Sequence, residues 1–149
     1  DRRHEPPPVS RRPRLGRAFK PLRRPVLWGG LWIAAIAAVV VLSLAPSVPM
    51  PEVPDGDKLG HFLAYFALAA AAVQLYARWP SLLGAGIGLV LLGIGLEYAQ
   101  GALTDTRMQD AADAFANTLG VIVGLSTRLT PFRNVLLQLD TRGLDGVGR

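Results

Sequence analysis

The chain contains no cysteine among its 149 residues, so disulfides and thiolate metal sites are excluded. Histidine is almost as scarce. Of two, His4 lies in the N-terminal stretch, and His61 is the only one in the apolar part. Aromatic residues make up 7% although half the chain is apolar. Charge is missing from the middle. Nine of the sixteen Lys and Arg fall in the first 25 residues, at Arg2, Arg3, Arg11, Arg12, Arg14, Arg17, Lys20, Arg23 and Arg24. That asymmetry describes a basic tail followed by a membrane-embedded body. No internal repeat and no soluble domain are visible.

What is present is a set of long apolar runs. A hydrocarbon core of about 30 Å needs about 20 apolar residues at roughly 1.5 Å each. Four runs qualify: 26–45 without charge, 59–77 broken by His61, 81–100 broken by Glu97, and 111–127 broken by Asp113. A helix of a soluble domain needs a polar face, and these have none. The expected fold is all-α, a four-helix transmembrane bundle over residues 26–130. A disordered Pro/Arg-rich tail at 1–25 precedes it, attracted to anionic lipid rather than to nucleic acid. A C-terminal tail at 131–149 follows, with a short interfacial helix over 131–139 and a frayed end. The first run is longer than a signal peptide's apolar region. With Trp28 and Trp32 near its start, it reads as a retained span.

Orientation follows from the Lys/Arg bias. The basic N-terminal stretch is expected in the cytoplasm. The next loop holds Glu52, Asp55, Asp57 and one lysine, and fits the outside. Arg78 marks the return, and Arg128, Arg133, Arg142 and Arg149 place the C-terminus in the cytoplasm with the N-terminus.

On that topology the polar residues within the runs converge. DKLGHFLAYF opens the second run, with Asp57 and His61 at i, i+4 and Tyr65 one turn deeper. Glu97 and Gln100 close the third. Asp110, Asp113 and Asn117 open the fourth, the last two again at i, i+4. All fall in the outer third of the membrane, with Lys58 and Arg107 at the mouth. Charged groups inside spans are costly and normally face a bundle interior or a wet cavity. A purely structural reading makes Asp57 and Asp110 helix N-caps, and Asn117 and Gln100 interhelical glue. It leaves a His, a Glu and an Asp within the spans unexplained. Small residues at Ala116, Gly120 and Gly124, and at Gly84, Gly88 and Gly93, mark faces for close packing.

The three segments D-K-L-G-H-F-x-x-Y-F, G-L-E-Y-A-Q and R-M-Q-D-A-A-D-A-F-A-N-T-L-G-V-I-V-G occur in this order. Together they resemble the VanZ-like family of small bacterial membrane proteins over residues 30–130. The resemblance marks Asp57, Lys58, His61, Tyr65, Glu97, Gln100, Arg107, Asp110, Asp113, Asn117 and Gly120 as pattern positions. The long basic tail is not part of the pattern. The family is named for a protein associated with low-level teicoplanin resistance, and its members occur widely without such resistance. The resemblance therefore implies a general role in the cell envelope, at the bacterial cytoplasmic (inner) membrane.

These residues fit several classes of function. An outward pocket of His61, Glu97 and Asp113, bordered by Asp57, Lys58, Tyr65, Gln100, Arg107, Asp110 and Asn117, suits an amphiphile with a polar head, such as a lipid-linked cell-wall precursor. An intramembrane enzyme would use His61 as general base, oriented by Glu97 and Asp113. A proton-coupled transporter would use the same groups as a relay. A structural membrane scaffold needs no chemistry from them. The donor set of one His with carboxylates also suits Zn, Mn or Fe. Without an H-E-x-x-H or comparable signature no metal or other cofactor is assigned. The expected partners are membrane lipids and the amphiphile, with self-association open.

Overall fold

The computed structural model describes residues 18–46, 54–105 and 109–142. Among these the chain is helical and has no strand. The helices are α1 (Pro25–Leu44), α2 (Gly56–Leu75), α3 (Trp79–Leu103), α4 (Ala111–Ser126) and α5 (Val135–Arg142). Two 3-10 turns, Thr127–Leu129 and Pro131–Asn134, link α4 to α5. Three helices, α1, α2 and α3, are long and apolar enough to cross a membrane. The 16-residue α4 is shorter.

The distribution of side chains is inverted relative to a water-soluble protein. Large apolar residues cover the outside, among them Leu31, Val41, Leu63, Ile87, Leu91 and Phe115. Glu97, Gln100, Asp113 and Asn117 are buried. Such an exterior is costly in water and natural in lipid, where no polar face is needed.

The core forms around α2, which packs most extensively on α4. Glycine permits that approach. A Cβ on Gly120 would press on the backbone carbonyl of Phe62, and one on Gly124 would lie 2.6 Å from Phe66 O and 2.7 Å from Ala69 Cβ. The α4 backbone thus lies directly on α2, as small residues spaced four apart allow. On α3 the expectation holds for Gly93 and is corrected for Gly84 and Gly88. Gly84 and Gly88 face open space, whereas Gly86 meets Leu125 and Gly93 meets Asn117 and Tyr65. Tyr65, Leu68, Ala69, Leu89 and Val121 fill the centre, with Trp32, Ile36 and Val39 of α1 packed against them. No residue of α1 is itself buried. The indole Nε1 of its Trp32 donates to Leu68 O at 2.9 Å, and the ring meets Tyr76 edge-on.

Contacts at both ends show that successive helices alternate in direction. At one end Gln100 Nε2, late in α3, donates to Ser43 O, late in α1, at 2.8 Å. At the other the start of α1 meets the end of α2 and the segment after α4. There the expected disordered tail is corrected in part, for residues 18–24 are built into the body. Lys20 N donates to Leu75 O at 2.7 Å, Ala77 N to Ala18 O at 2.9 Å, and Phe19 pairs with Tyr76. The Lys20 ammonium donates to Val73 O at 2.7 Å and to Arg133 O. Burial pulls its pKa down to about 8, with Arg128 and Arg133 adding to the shift. Arg128 donates to Tyr76 O and Ala77 O at 3.3 and 2.8 Å and lies over the Trp79 ring. These cations answer carbonyls that the end of α2 leaves open.

The C-terminal segment is also more ordered than expected. Gln74 bridges to it, donating to Phe132 O at 3.0 Å and accepting from Leu136 N at 3.1 Å. Helix α5 runs to Arg142 rather than ending at 139. Asp140 accepts from Trp28 Nε1 at 2.9 Å, and from Arg23 N at 2.5 Å and Arg24 N at 3.4 Å. The Trp28 bond and the two backbone bonds hold its carboxyl below the usual range.

Candidate functional site

The polar cluster lies where α2 and α4 begin and α3 ends. Helix α2 starts at Gly56, after Asp55 in a left-handed conformation with φ 58° and no side-chain cap bond. Asp57 is therefore not the N-cap, contrary to the structural reading, and is free to face along the helix. His61 follows one turn on, with its Nε2 3.8 Å from Asp57 Oδ1. Asp110 does cap α4, accepting from Ala112 N at 2.8 Å. That cap starts α4 so that Asp113 and Asn117 face α2.

His61 is the hub. Its Nδ1 lies 3.1 Å from Asn117 Oδ1. Because that oxygen is a carbonyl, the ring nitrogen is the donor. Nε2 then faces two carboxylates, Asp57 and Asp113, the second with its Oδ2 at 3.7 Å. One coordinating atom from each of Asp57, His61 and Asp113 lies within 4.8 Å of the others. The one hydrogen bond His61 makes is to Asn117, and Asp113 stands beyond hydrogen-bond distance at 3.7 Å.

Glu97 reaches the cluster indirectly, its Oε2 accepting from Asp110 N at 3.2 Å. Lys58 pairs with Asp110 at 3.6 Å, with both side chains nearly half exposed. Such a pair contributes little to stability, yet it occupies the lysine expected to meet an anionic ligand. Tyr65 and Asn117 share the space beside Gly93, where a Cβ would lie 3.3 Å from the tyrosine ring and 3.2 Å from the amide. Gln100 does not join the cluster, since its amide is committed to α1. Arg107 lies outside the described residues.

The cluster is incompletely satisfied. Tyr65 Oη, Glu97 Oε1 and Asp113 Oδ1 are buried and find no hydrogen-bond partner among the described residues. Leaving a buried polar group unpaired costs about 1–3 kcal/mol, more when it is charged. Native structures hold few such groups, and those they hold mark strain, function or a ligand. At the opposite end a concavity of about 300 Å³ is lined by Lys20, Arg128, Arg133 and Asn134, cationic where the cluster is acidic. A groove of about 220 Å³ between α3 and α4 is apolar, lined by residues such as Ile87, Leu91 and Ile122.

Sequence reasoning missed Lys20, Gln74 and Asp140, which organise the opposite end. Nothing in their spacing announces them, because their partners are main-chain carbonyls, amides and an indole far away in sequence. Models of known protein families, curated proteins and solved structures give no match to this chain.

Proposed function

We propose that the chain is a four-span protein of the bacterial cytoplasmic membrane, akin to the VanZ-like family, whose outward-facing polar pocket binds or modifies a lipid-linked or other cell-envelope amphiphile. The observation that carries this reading is the cluster of His61 with buried Glu97, Asp113 and Asn117, in which Glu97 and Asp113 each keep an unpaired buried oxygen among the described residues, inside an apolar exterior. An amphiphile fits both environments at once. Its head meets the polar groups, and its tails lie along the exposed apolar faces of α3 and α4. The fourth span is supported by continuity. Helix α4 with the turn Thr127–Leu129 amounts to about 30 Å, from rises of about 1.5 and 2.0 Å per residue. The end where Lys20, Arg78, Arg128 and Arg133 gather is the cytoplasmic one on this reading, and with it both termini. The likeness to the family rests on the motif residues themselves.

The absence of cysteine makes the topology easy to test. Single cysteines at Asp57 and Asp105 should react with an impermeant maleimide from outside intact cells, and those at Arg78 and Arg142 should not. Mass spectrometry of lipids retained by gently purified protein tests the pocket. Wild type should hold an amphiphile that the double variant Asp113→Asn, Asn117→Ala loses. Equal lipid content in both would count against the reading.

A second reading, an intramembrane enzyme, is favoured by the orientation of His61. With Nδ1 bonded to Asn117, Nε2 is the acceptor of a general base, steadied by Asp113. Conversion of the retained amphiphile by wild type and not by His61→Ala would identify it.

A further inference from the structure

The pocket has a charge problem. Four carboxylates, from Asp57, Glu97, Asp110 and Asp113, meet one lysine and one imidazole among the described residues. The Nε2 of His61 faces two of those carboxylates, Asp57 and Asp113, while its Nδ1 is held by Asn117. A cation placed between the two carboxylates would offset their mutual repulsion. An anionic head group would be repelled for the same reason.

We propose that Asp57, His61 and Asp113 bind a divalent transition-metal ion, of the Zn2+ or Mn2+ kind. Metal–ligand distances of about 2.0–2.2 Å put tetrahedral ligand atoms about 3.3–3.6 Å apart. The separations of 3.7 and 3.8 Å from His61 Nε2 are within a few tenths of an ångström of that range. Two features beyond the cluster itself point to a ligand. Asp113, 5% exposed, keeps an Oδ1 with no hydrogen-bond partner among the described residues. The Nδ1 bond to Asn117 is the outer contact that metal-bound histidines characteristically make, fixing the ring and its tautomer. Asn117, 1% exposed and packed beside Gly93, is itself held.

An imidazole among the donors selects borderline metals over Mg2+ and Ca2+, which prefer all-oxygen sites. Three protein ligands leave a fourth position open on the side of Asp57, whose side chain is 74% exposed. In the amphiphile reading, on which this last step rests, a phosphate or carboxylate oxygen of the head group takes that position. The metal then supplies the positive charge that Lys58, held by Asp110, does not. No H-x-x-x-H or similar signature exists because the ligands come from two helices.

The test uses the full chain in detergent, stripped with chelator and titrated with Zn2+ or Mn2+ by calorimetry, without added lipid. Wild type should bind one ion per chain, with Mg2+ and Ca2+ at least tenfold weaker. His61→Ala and Asp113→Asn should each weaken binding at least tenfold, and Asp105→Asn should not. Asp57→Asn guards against misfolding, since its exposed side chain can change without disturbing the metal-free melting temperature. It too should lose at least tenfold. Absence of binding by wild type, or unchanged binding by Asp57→Asn, overturns the proposal. So does a His61 ring carrying protons on both nitrogens by 15N NMR in the presence of the metal. Lipid content measured on the same samples separates the two ideas. Metal binding with no retained amphiphile upholds the site and removes the pocket reading. An amphiphile held equally with and without chelator removes the metal–head-group contact and leaves the pocket.

Discussion

The two ends of the helix array are both polar, and they are built on opposite principles. At the end formed by Lys20, Gln74, Arg128 and Asp140, every one of these side chains bonds main-chain groups or an indole. At the other end, Tyr65, Glu97 and Asp113 keep buried atoms without hydrogen-bond partners among the described residues. The first arrangement holds α1, α2, α3 and α5 together. The second also links helices, through His61 with Asn117 and Glu97 with Asp110 N, but carries a desolvation cost for the atoms it leaves unpaired. A cost retained at one end, in a molecule that satisfies polar groups well at the other, is the contrast on which the proposed ligand site rests. Stability given up at a functional site is a general pattern.

The largest expected effect strikes both ends together. Gly120→Ala with Gly124→Ala would push Cβ atoms into the α2 backbone. Overpacking of this kind typically costs about 1–3 kcal/mol per site. The double variant should be depleted from the membrane and melt early in detergent. Normal level and melting temperature would show that the α2–α4 contact is not the common frame.

The next prediction concerns the satisfied end alone. Lys20→Met keeps the stem and leaves the carbonyls of Val73 and Arg133 without their donor, costing about 1–3 kcal/mol. Thermal unfolding should register the loss, while metal binding by the protein that remains folded stays unchanged.

Gly93→Ala sharpens the comparison from the other side. Its Cβ would need Asn117 and Tyr65 to give by a few tenths of an ångström. Stability should fall by no more than about 1 kcal/mol, at the low end of overpacking costs. The His61–Asn117 bond should loosen, and with it the orientation of the ring, read by 15N shifts of His61.

The smallest effect belongs to Asp140, which lies at the surface and is only partly covered. Its carboxyl is held low by its bonds, so its contribution is present above the unfolded value of about 3.9 and is lost as pH falls through the folded one. Hydrogen exchange in α5 should speed up selectively on acidification, and in Asp140→Asn at neutral pH.

The same contrast explains what was legible in the sequence. Apolar runs announced α1, α2 and α3, because length and lack of charge are one-dimensional properties. Spacing at i, i+4 was enough to put Asp57 with His61, and Asp113 with Asn117, on shared helix faces. Which carboxylate His61 meets was not legible, since it depends on how α4 is set against α2. Gln100 illustrates the limit, for it sits one turn from Glu97 yet turns to Ser43 of α1. The ordered segment 18–24 was hidden for another reason. Its composition is that of a disordered tail, and only the open carbonyls at the end of α2 give it a place.

The most direct test of the central claim compares melting temperatures of two charge-removing variants, Asp113→Asn and Lys20→Met, in the same detergent with chelator present. The unsatisfied end should tolerate the loss, with Asp113→Asn melting at or above wild type, while Lys20→Met melts clearly below it. Asp113→Asn melting as far below wild type as Lys20→Met would contradict the account, and would make the outer cluster part of the scaffold.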